Sequence, residues 1–149
     1  MDFTIDTPLG RMLARERDGA LVSLRFAVTG EEASPPCSAL AEKTEAWLRR
    51  YFAGENPAPD LPLAPSGTTF QQRVWRAARA IPYGHTLSYG ELARQLGCGS
   101  PRAVGAALGK NPIWLLIPCH RVVGADGSLT GYAGGLEKKA ALLALEKGK

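Results

Sequence analysis

Histidine and cysteine are scarce in this chain of 149 residues, with only His85 and His120, and only Cys37, Cys98 and Cys119. An odd number of cysteines without Cys-x-x-Cys spacing gives neither a disulfide framework nor a zinc ribbon. A four-ligand zinc site would need nearly all of these scattered residues to converge. No metal and no cofactor is therefore expected. Long apolar runs are also missing, and nothing approaches the roughly 20 residues of a membrane span. Met1-Asp2-Phe3-Thr4 has neither the basic start nor the apolar core of a signal peptide, so a cytoplasmic protein without a membrane partner is expected. Acidic residues are sparse in one half only. Residues 1–66 hold 7 Lys and Arg against 10 Asp and Glu, net −3, whereas residues 67–149 hold 11 against 4, net +7. The basic half is the one suited to a polyanion, unless it is an ordinary solvated face.

What is present supports a sizeable core, since 45% of the residues are hydrophobic, enough for one domain or one with a small appendage. Phe3 and Ile5 alternate with polar residues, as do Met12 and Ala14, and Asp18-Gly19 separates this run from Leu21 to Phe26. Asp-Gly between two such runs is a strong hairpin signal. Ser38 to Phe52 then carries Leu40, Thr44, Trp47, Leu48 and Tyr51 at helical spacing, stopped by Gly54. This unit holds no catalytic constellation, and Cys37 reads as structural. Pro57, Pro59, Pro62 and Pro65 make an extended, stiff connector and mark a boundary. The expected architecture is a small α/β unit, an antiparallel hairpin or sheet plus a helix with a Pro-rich connector, over residues 1–66. A mainly helical DNA-binding domain with a helix-turn-helix follows over residues 67–149.

In the second half a helix begins near Thr68, with Thr69 and Gln72 in capping-box spacing and Phe70, Val74, Ala77 and Ala78 on its buried side. Arg73, Arg76 and Arg79 form a ridge on another face, either a phosphate contact or a solvated surface. Ser88 and Glu91 make a second capping box, Gly97 to Gly99 a turn, and Ser100-Pro101 an N-cap with proline at the first helical position, ended by Gly109. Two short helices around a Gly-containing turn read as a helix-turn-helix. The second helix is nearly bald, offering Arg102 and then Ala103, Gly105, Ala106 and Ala107. Such a surface cannot read many bases in the major groove. It suits close approach to a backbone or narrow groove with one arginine inserted, or alternatively packing against another helix.

The chemistry centres on Leu115-Leu116-Ile117-Pro118-Cys119-His120-Arg121-Val122-Val123, where a proline breaks two apolar, strand-like pieces. A thiol attacks as thiolate, and His120 and Arg121 are the nearby base and positive field that would form one. The tetrapeptide alone leaves an inert buried cysteine equally open. Gly124 to Gly127 reads as a turn, and Gly131-Tyr132-Ala133-Gly134-Gly135 as a flexible loop long enough to fold over a pocket. Leu136 to Lys147 is the last helix, with Leu136, Ala140, Leu143 and Ala144 as its apolar stripe. Glu146 borders that stripe, either on the surface or drawn inward to orient a histidine.

Taken together, Asn111-Pro112, Ile117-Pro118-Cys119-His120-Arg121-Val122, the helix-turn-helix before them and Gly131-Tyr132-Ala133-Gly134-Gly135 after them resemble the O6-alkylguanine-DNA alkyltransferases, from about Thr69 to Glu146. Thr7-Pro8-Leu9-Gly10 and the hairpin match more loosely. The resemblance implies that Cys119 accepts the alkyl group of O6-alkylguanine, and of O4-alkylthymine, irreversibly and once per chain. It implies that His120, reached through a water and oriented by Glu146, is the base, and that Tyr89 meets the nucleotide phosphate and helps protonate the leaving guanine. Arg102 would enter the minor groove and fill the space of the flipped base, beside Ala103, Gly105 and Ala106. Asn111 would brace the active-site turn, Tyr132 and Ala133 would close over the guanine, and Val122 would offer its carbonyl to the guanine amino group. The implied partner is alkylated double-stranded DNA, bound by a monomer with little sequence preference. Trp114 stands where relatives carry smaller residues or proline and would reshape the pocket rim; Ala133 replaces the serine of some relatives, and their zinc-binding N-terminal residues are absent. A non-catalytic damage sensor lacks the acceptor cysteine, a regulator needs a richer second helix, and a cysteine hydrolase needs an orienting Asn or Asp at a readable spacing.

Overall fold

A computed structural model describes residues 2–28, 30–31, 33–58, 60–127, 132 and 135–147. The chain divides into two compact units between Ser66 and Gly67.

The first unit is an antiparallel meander, β1 (Asp2–Thr7), β2 (Gly10–Arg17) and β3 (Ala20–Phe26), followed by helix α1 (Ala39–Phe52). Asp18 and Gly19 both take left-handed backbone, φ 52° and 80°, as a two-residue turn matched to strand twist requires. The sequence signals this one hairpin; the structure has two. Thr7 closes the other, its hydroxyl donating to the Gly10 carbonyl at 2.6 Å across Pro8-Leu9. Alternation places Phe3, Ile5, Met12, Ala14, Leu21 and Leu24 in the core with Trp47, Leu48 and Tyr51 of α1. The proline-rich connector runs along β3: the Leu21 N–H donates to the Pro62 carbonyl, and the Leu21 carbonyl accepts from the Ala64 N–H. Cys37, expected to be structural, is exposed.

The second unit contains α2 (Thr69–Arg79), β4 (Leu87–Ser88), α3 (Tyr89–Gln95), α4 (Pro101–Gly109), a 3-10 turn (Cys119–Arg121), β5 (Val122–Val123) and α5 (Leu136–Glu146). The capping box of α2 lies at Thr68 and Gln71, one residue before the spacing read from the sequence, and those of α3 (Ser88, Glu91) and the Ser100 cap of α4 are as expected. The helix-turn-helix is α3 and α4, with Gly97 at φ 68° between them. Trp75, absent from the expected buried side of α2, is its largest buried residue, and its indole N–H donates to the Ala107 carbonyl at 2.8 Å. Gly67 has to be glycine, because a Cβ there would lie 2.4 Å from the Trp75 ring. In the Arg73, Arg76, Arg79 ridge, Arg73 donates to the Leu96 carbonyl at 2.7 Å and so closes the end of α3.

Two expectations fail in this unit. Leu115 to Ile117 is a turn, not a strand: Leu115 takes φ 72°, and the Ile117 N–H returns to the Ile113 carbonyl at 3.0 Å. The face of α5 is also reversed. Lys139, Leu142 and Glu146 are buried, whereas Leu136 is 49% exposed and Ala140 and Ala144 are exposed. Apolar patterning favours Leu136, Ala140, Leu143 and Ala144, but ion pairs and packing made by the other face override it.

Candidate active site

Cys119 owes its position to the chain around Pro118. Pro118, at φ −81° and ψ 66°, makes an inverse γ-turn in which Cys119 N–H donates to the Ile117 carbonyl at 2.8 Å. A single turn of 3-10 helix follows, and Val122 then pairs in parallel with Leu87 of β4, which fixes where the turn ends. Asn111, just past α4, ties the two sides together. Its Oδ1 accepts from Ile113 N–H at 2.9 Å, and its Nδ2 donates to the Ile117 carbonyl at 2.8 Å and to Cys119 Sγ at 3.2 Å. Asn111 thus bonds both sides of the turn and also touches the sulfur.

His120 is fully buried, and its Nε2 lies 2.5 Å from Glu146 Oε2. Burial holds the imidazole below its ordinary pKa, opposed by the Glu146 carboxylate. A neutral ring donating Nε2–H to that carboxylate presents Nδ1 as its lone-pair nitrogen. Arg121 was a candidate source of positive field for the thiol, but its guanidinium is turned to Glu146, Nε donating to Oε1 at 2.7 Å and Nη2 to Oε2 at 3.1 Å. Nη1 donates to the Ile81 carbonyl at 2.7 Å, and the guanidinium lies 5.7 Å from the Tyr83 ring centre. Glu146, 3% exposed, is thus drawn inward and held by two residues of one turn.

Burial pushes the Cys119 thiol up to about 11, against the opposing effects of the Asn111 amide and the Lys139 ammonium. At neutral pH the sulfur is a thiol, and a base has to remove its proton for attack. Tyr132 is buried beside the site, its ring 6.4 Å from that of His120 and 5.8 Å from that of Trp114. Trp114 is half-buried and pinned by an indole N–H bond of 3.0 Å to the Asn111 carbonyl. Ala133 lies outside the described residues, as do Gly131 and Gly134. Val122 is fully buried.

On the helix-turn-helix, Arg102 and Ala106 are exposed on one face of α4, with Ala103 and Gly105 half-buried beside them. Ala107, counted with the bald surface in the sequence, belongs to the core. Gly105 sits against the ring of Tyr89, the first residue of α3. Lys139 was missed altogether. It is fully buried, with its ammonium 5.7 Å from the centre of the Tyr89 ring. Its spacing of three and seven residues from Leu142 and Glu146 puts all three on one face, but two charges on a helix face ordinarily mark the solvent side. Among the described residues no group of His, Cys, Asp and Glu is arranged to hold a metal ion, and no helix is long and apolar enough to cross a membrane.

Residues 69–148 match the family described as 6-O-methylguanine DNA methyltransferase, DNA binding domain. The methylated-DNA--protein-cysteine methyltransferase of Mycolicibacterium paratuberculosis is 47% identical over 97% of this chain and 90% of its own length. Among solved structures, Mycobacterium tuberculosis OGT in complex with DNA superposes with a TM-score of 0.87 at 47% identity, covering 99% of this chain and 92% of that one. An O6-methylguanine DNA methyltransferase from Methanococcus jannaschii gives 0.75 at 32%, covering 97% and 93%. A buried cysteine and histidine on one turn, a carboxylate drawn in behind them, and likeness over nearly the whole length agree, and the chain belongs to the methylated-DNA--protein-cysteine methyltransferase family.

Proposed function

We propose that this protein repairs DNA by moving the alkyl group of O6-alkylguanine, and of O4-alkylthymine, onto its own Cys119, once per chain. The observation that carries the reading is the arrangement of the Cys119 sulfur: donated to by Asn111, on the same turn as a buried His120 that is paired to Glu146. His120 takes the thiol proton through a water, since side chains of adjacent residues seldom face each other. Sulfur then attacks the alkyl carbon, the S–C bond forms as the C–O6 bond breaks, and the proton ends on the guanine ring, so atoms and charge balance. The product thioether is stable, hence one turnover.

An alkyl carbon on O6 is hidden within the duplex, and the nucleotide has to leave the stack at a cost of a few kcal/mol. Arg102, exposed at the start of α4, enters the minor groove and fills the vacated space, while Ala103, Gly105 and Ala106 allow the helix to lie close. Tyr89 meets the nucleotide's phosphate and helps protonate the leaving base. Tyr132 and the backbone N–H of Ala133 cover the guanine, the Val122 carbonyl receives its amino group, and Trp114 forms the rim. The protein acts in the cytoplasm as a monomer on duplex DNA, with little sequence preference.

The test is intact-mass analysis after mixing the protein with duplex DNA containing O6-methylguanine. One methyl group per chain, mapped to Cys119 and saturating, is the expected outcome; no adduct, or continued turnover, overturns the reading.

A further inference from the structure

None of the roles above uses Arg94, an exposed cation on α3. Helical side chains lean toward the N-terminus of their helix, and a long one comes to lie over the turn before its own Cα. For Arg94 the residue one turn back is Gly90. With no side chain there, the Arg94 guanidinium rests against bare backbone: a Cβ at Gly90 would lie 3.7 Å from Arg94 Nη1. Gly90 directly follows Tyr89, and a Cβ at Gly105 of α4 would lie 3.7 Å from the Tyr89 ring. Gly105, Tyr89, Gly90 and the Arg94 guanidinium therefore follow one another across the helix-turn-helix, starting from the helix that exposes Arg102 and Ala106.

The guanidinium is also uncommitted. Exposed arginines of the first unit are held by carboxylates, Arg11 by Asp6 at 2.9 Å, Arg15 by Asp2 at 2.8 Å and Arg50 by Glu55 at 2.9 Å. Arg94 has an acid three residues before it, but the Glu91 carboxylate accepts from the Ser88 N–H at 2.8 Å as half of the cap. Glu91 senses the charge of Arg94 without bonding to it. Among the described residues Arg94 makes no hydrogen bond and no ion pair. A planar fork of N–H donors left without a partner on an exposed face fits an oxyanion that it can grip with two parallel bonds.

We propose that Arg94 binds a DNA backbone phosphate beside the one Tyr89 meets, with its guanidinium set in place by the gap at Gly90. This rests on the reading of Tyr89 and α4 as the part of the protein that faces DNA. Such a contact carries no sequence information; it fixes how the helix-turn-helix lies along the backbone. Arg94 is therefore a positioning residue, and two arginines divide the work, Arg102 in the groove and Arg94 on the phosphates.

The test counts phosphates. Affinity for a short unmodified duplex is measured by fluorescence anisotropy across a series of salt concentrations for the wild type, Arg94→Gln and Arg17→Gln, with melting temperatures alongside. Arg17 is exposed at the end of β2, so R17Q makes the same change in net charge from the other compact unit. Each neutralised phosphate contributes about 0.9 to the slope of log affinity against log salt concentration. R94Q is expected to flatten that slope by about 0.9 and to bind about tenfold more weakly at low salt, while R17Q keeps the wild-type slope. A folded R94Q with the wild-type slope, or an equal flattening in R17Q, overturns the proposal. Because the DNA carries no alkyl group, failure of methyl transfer by the wild type leaves this slope readable on its own.

Discussion

His120 Nε2 stands 2.5 Å from Glu146 Oε2, across 26 residues of sequence. Arg121 shares the same carboxylate, so the anion both orients the imidazole and neutralises a buried guanidinium. Glu146→Gln keeps the volume and removes the charge. Methyl transfer in a single-turnover assay should slow about ten- to hundredfold. Breaking the pair also leaves Arg121 buried without its anion, at about 3–5 kcal/mol by denaturant titration. An unchanged transfer rate in the folded variant would show that Glu146 serves the fold alone.

Thiol chemistry should be strongly pH-dependent. With Cys119 pushed up to about 11, its thiolate fraction rises about tenfold per unit as pH increases from 7, and labelling by iodoacetamide should follow. His120 is held below its ordinary value and so stays neutral at and above about pH 6.5. Transfer from DNA should therefore weaken only when acid protonates the imidazole. Labelling that is already flat across neutral pH would contradict the burial effect on the sulfur.

Arg102→Ala should separate flipping from chemistry. If the wedge carries about 1.4 kcal/mol of the flipping cost, repair in duplex DNA slows about tenfold, with a much milder loss on the free O6-alkylguanine base. Equal losses on both substrates would remove the wedge role.

Trp114→Ala should widen the rim, because the indole is fixed by the Asn111 carbonyl and lies against Tyr132. The ratio of benzyl to methyl transfer is expected to rise about tenfold, within the 1–3 kcal/mol by which a pocket distinguishes small changes in apolar size. Competition between the two substrates measures it, and an unaltered ratio would place the size limit elsewhere.

Trp75→Phe tests the scaffold. It removes the N–H donated to the Ala107 carbonyl, which keeps only the Lys110 N–H at the end of α4, at about 0.5–1.5 kcal/mol in urea unfolding.

Much of this was legible wherever local chemistry decides. Asp18-Gly19, the Ser88–Glu91 box and Ser100-Pro101 satisfy or bend backbone within a few residues, and the elements they announce are in place. The Pro-Cys-His-Arg turn and Asn111 were legible through family resemblance, but the bond from Asn111 to the sulfur was not. What the sequence hides is long-range. Lys139 and Glu146 look like solvent-facing charges until their partners on other segments are known, so the stripe of α5 was read on the wrong face. Left-handed backbone at Leu115 is likewise invisible, because leucine itself disfavours it and it is held by the backbone bonds of the turn, Leu116 N–H to the Trp114 carbonyl and Ile117 N–H to the Ile113 carbonyl, together with burial of the side chain. Arg121 looked like a group for the thiol, and only the fold shows its fork directed at a carboxylate.

The double duty of Glu146 has an evolutionary side. Its oxygens accept from Arg121, which in turn holds the Ile81 carbonyl, so the residue binds the fold as firmly as it orients the imidazole. A lineage that gave up alkyl transfer while keeping this architecture would still be under selection to retain the glutamate. A glutamate at this position is therefore a poor marker of activity in a distant relative, because the scaffold by itself requires the anion that Arg121 holds.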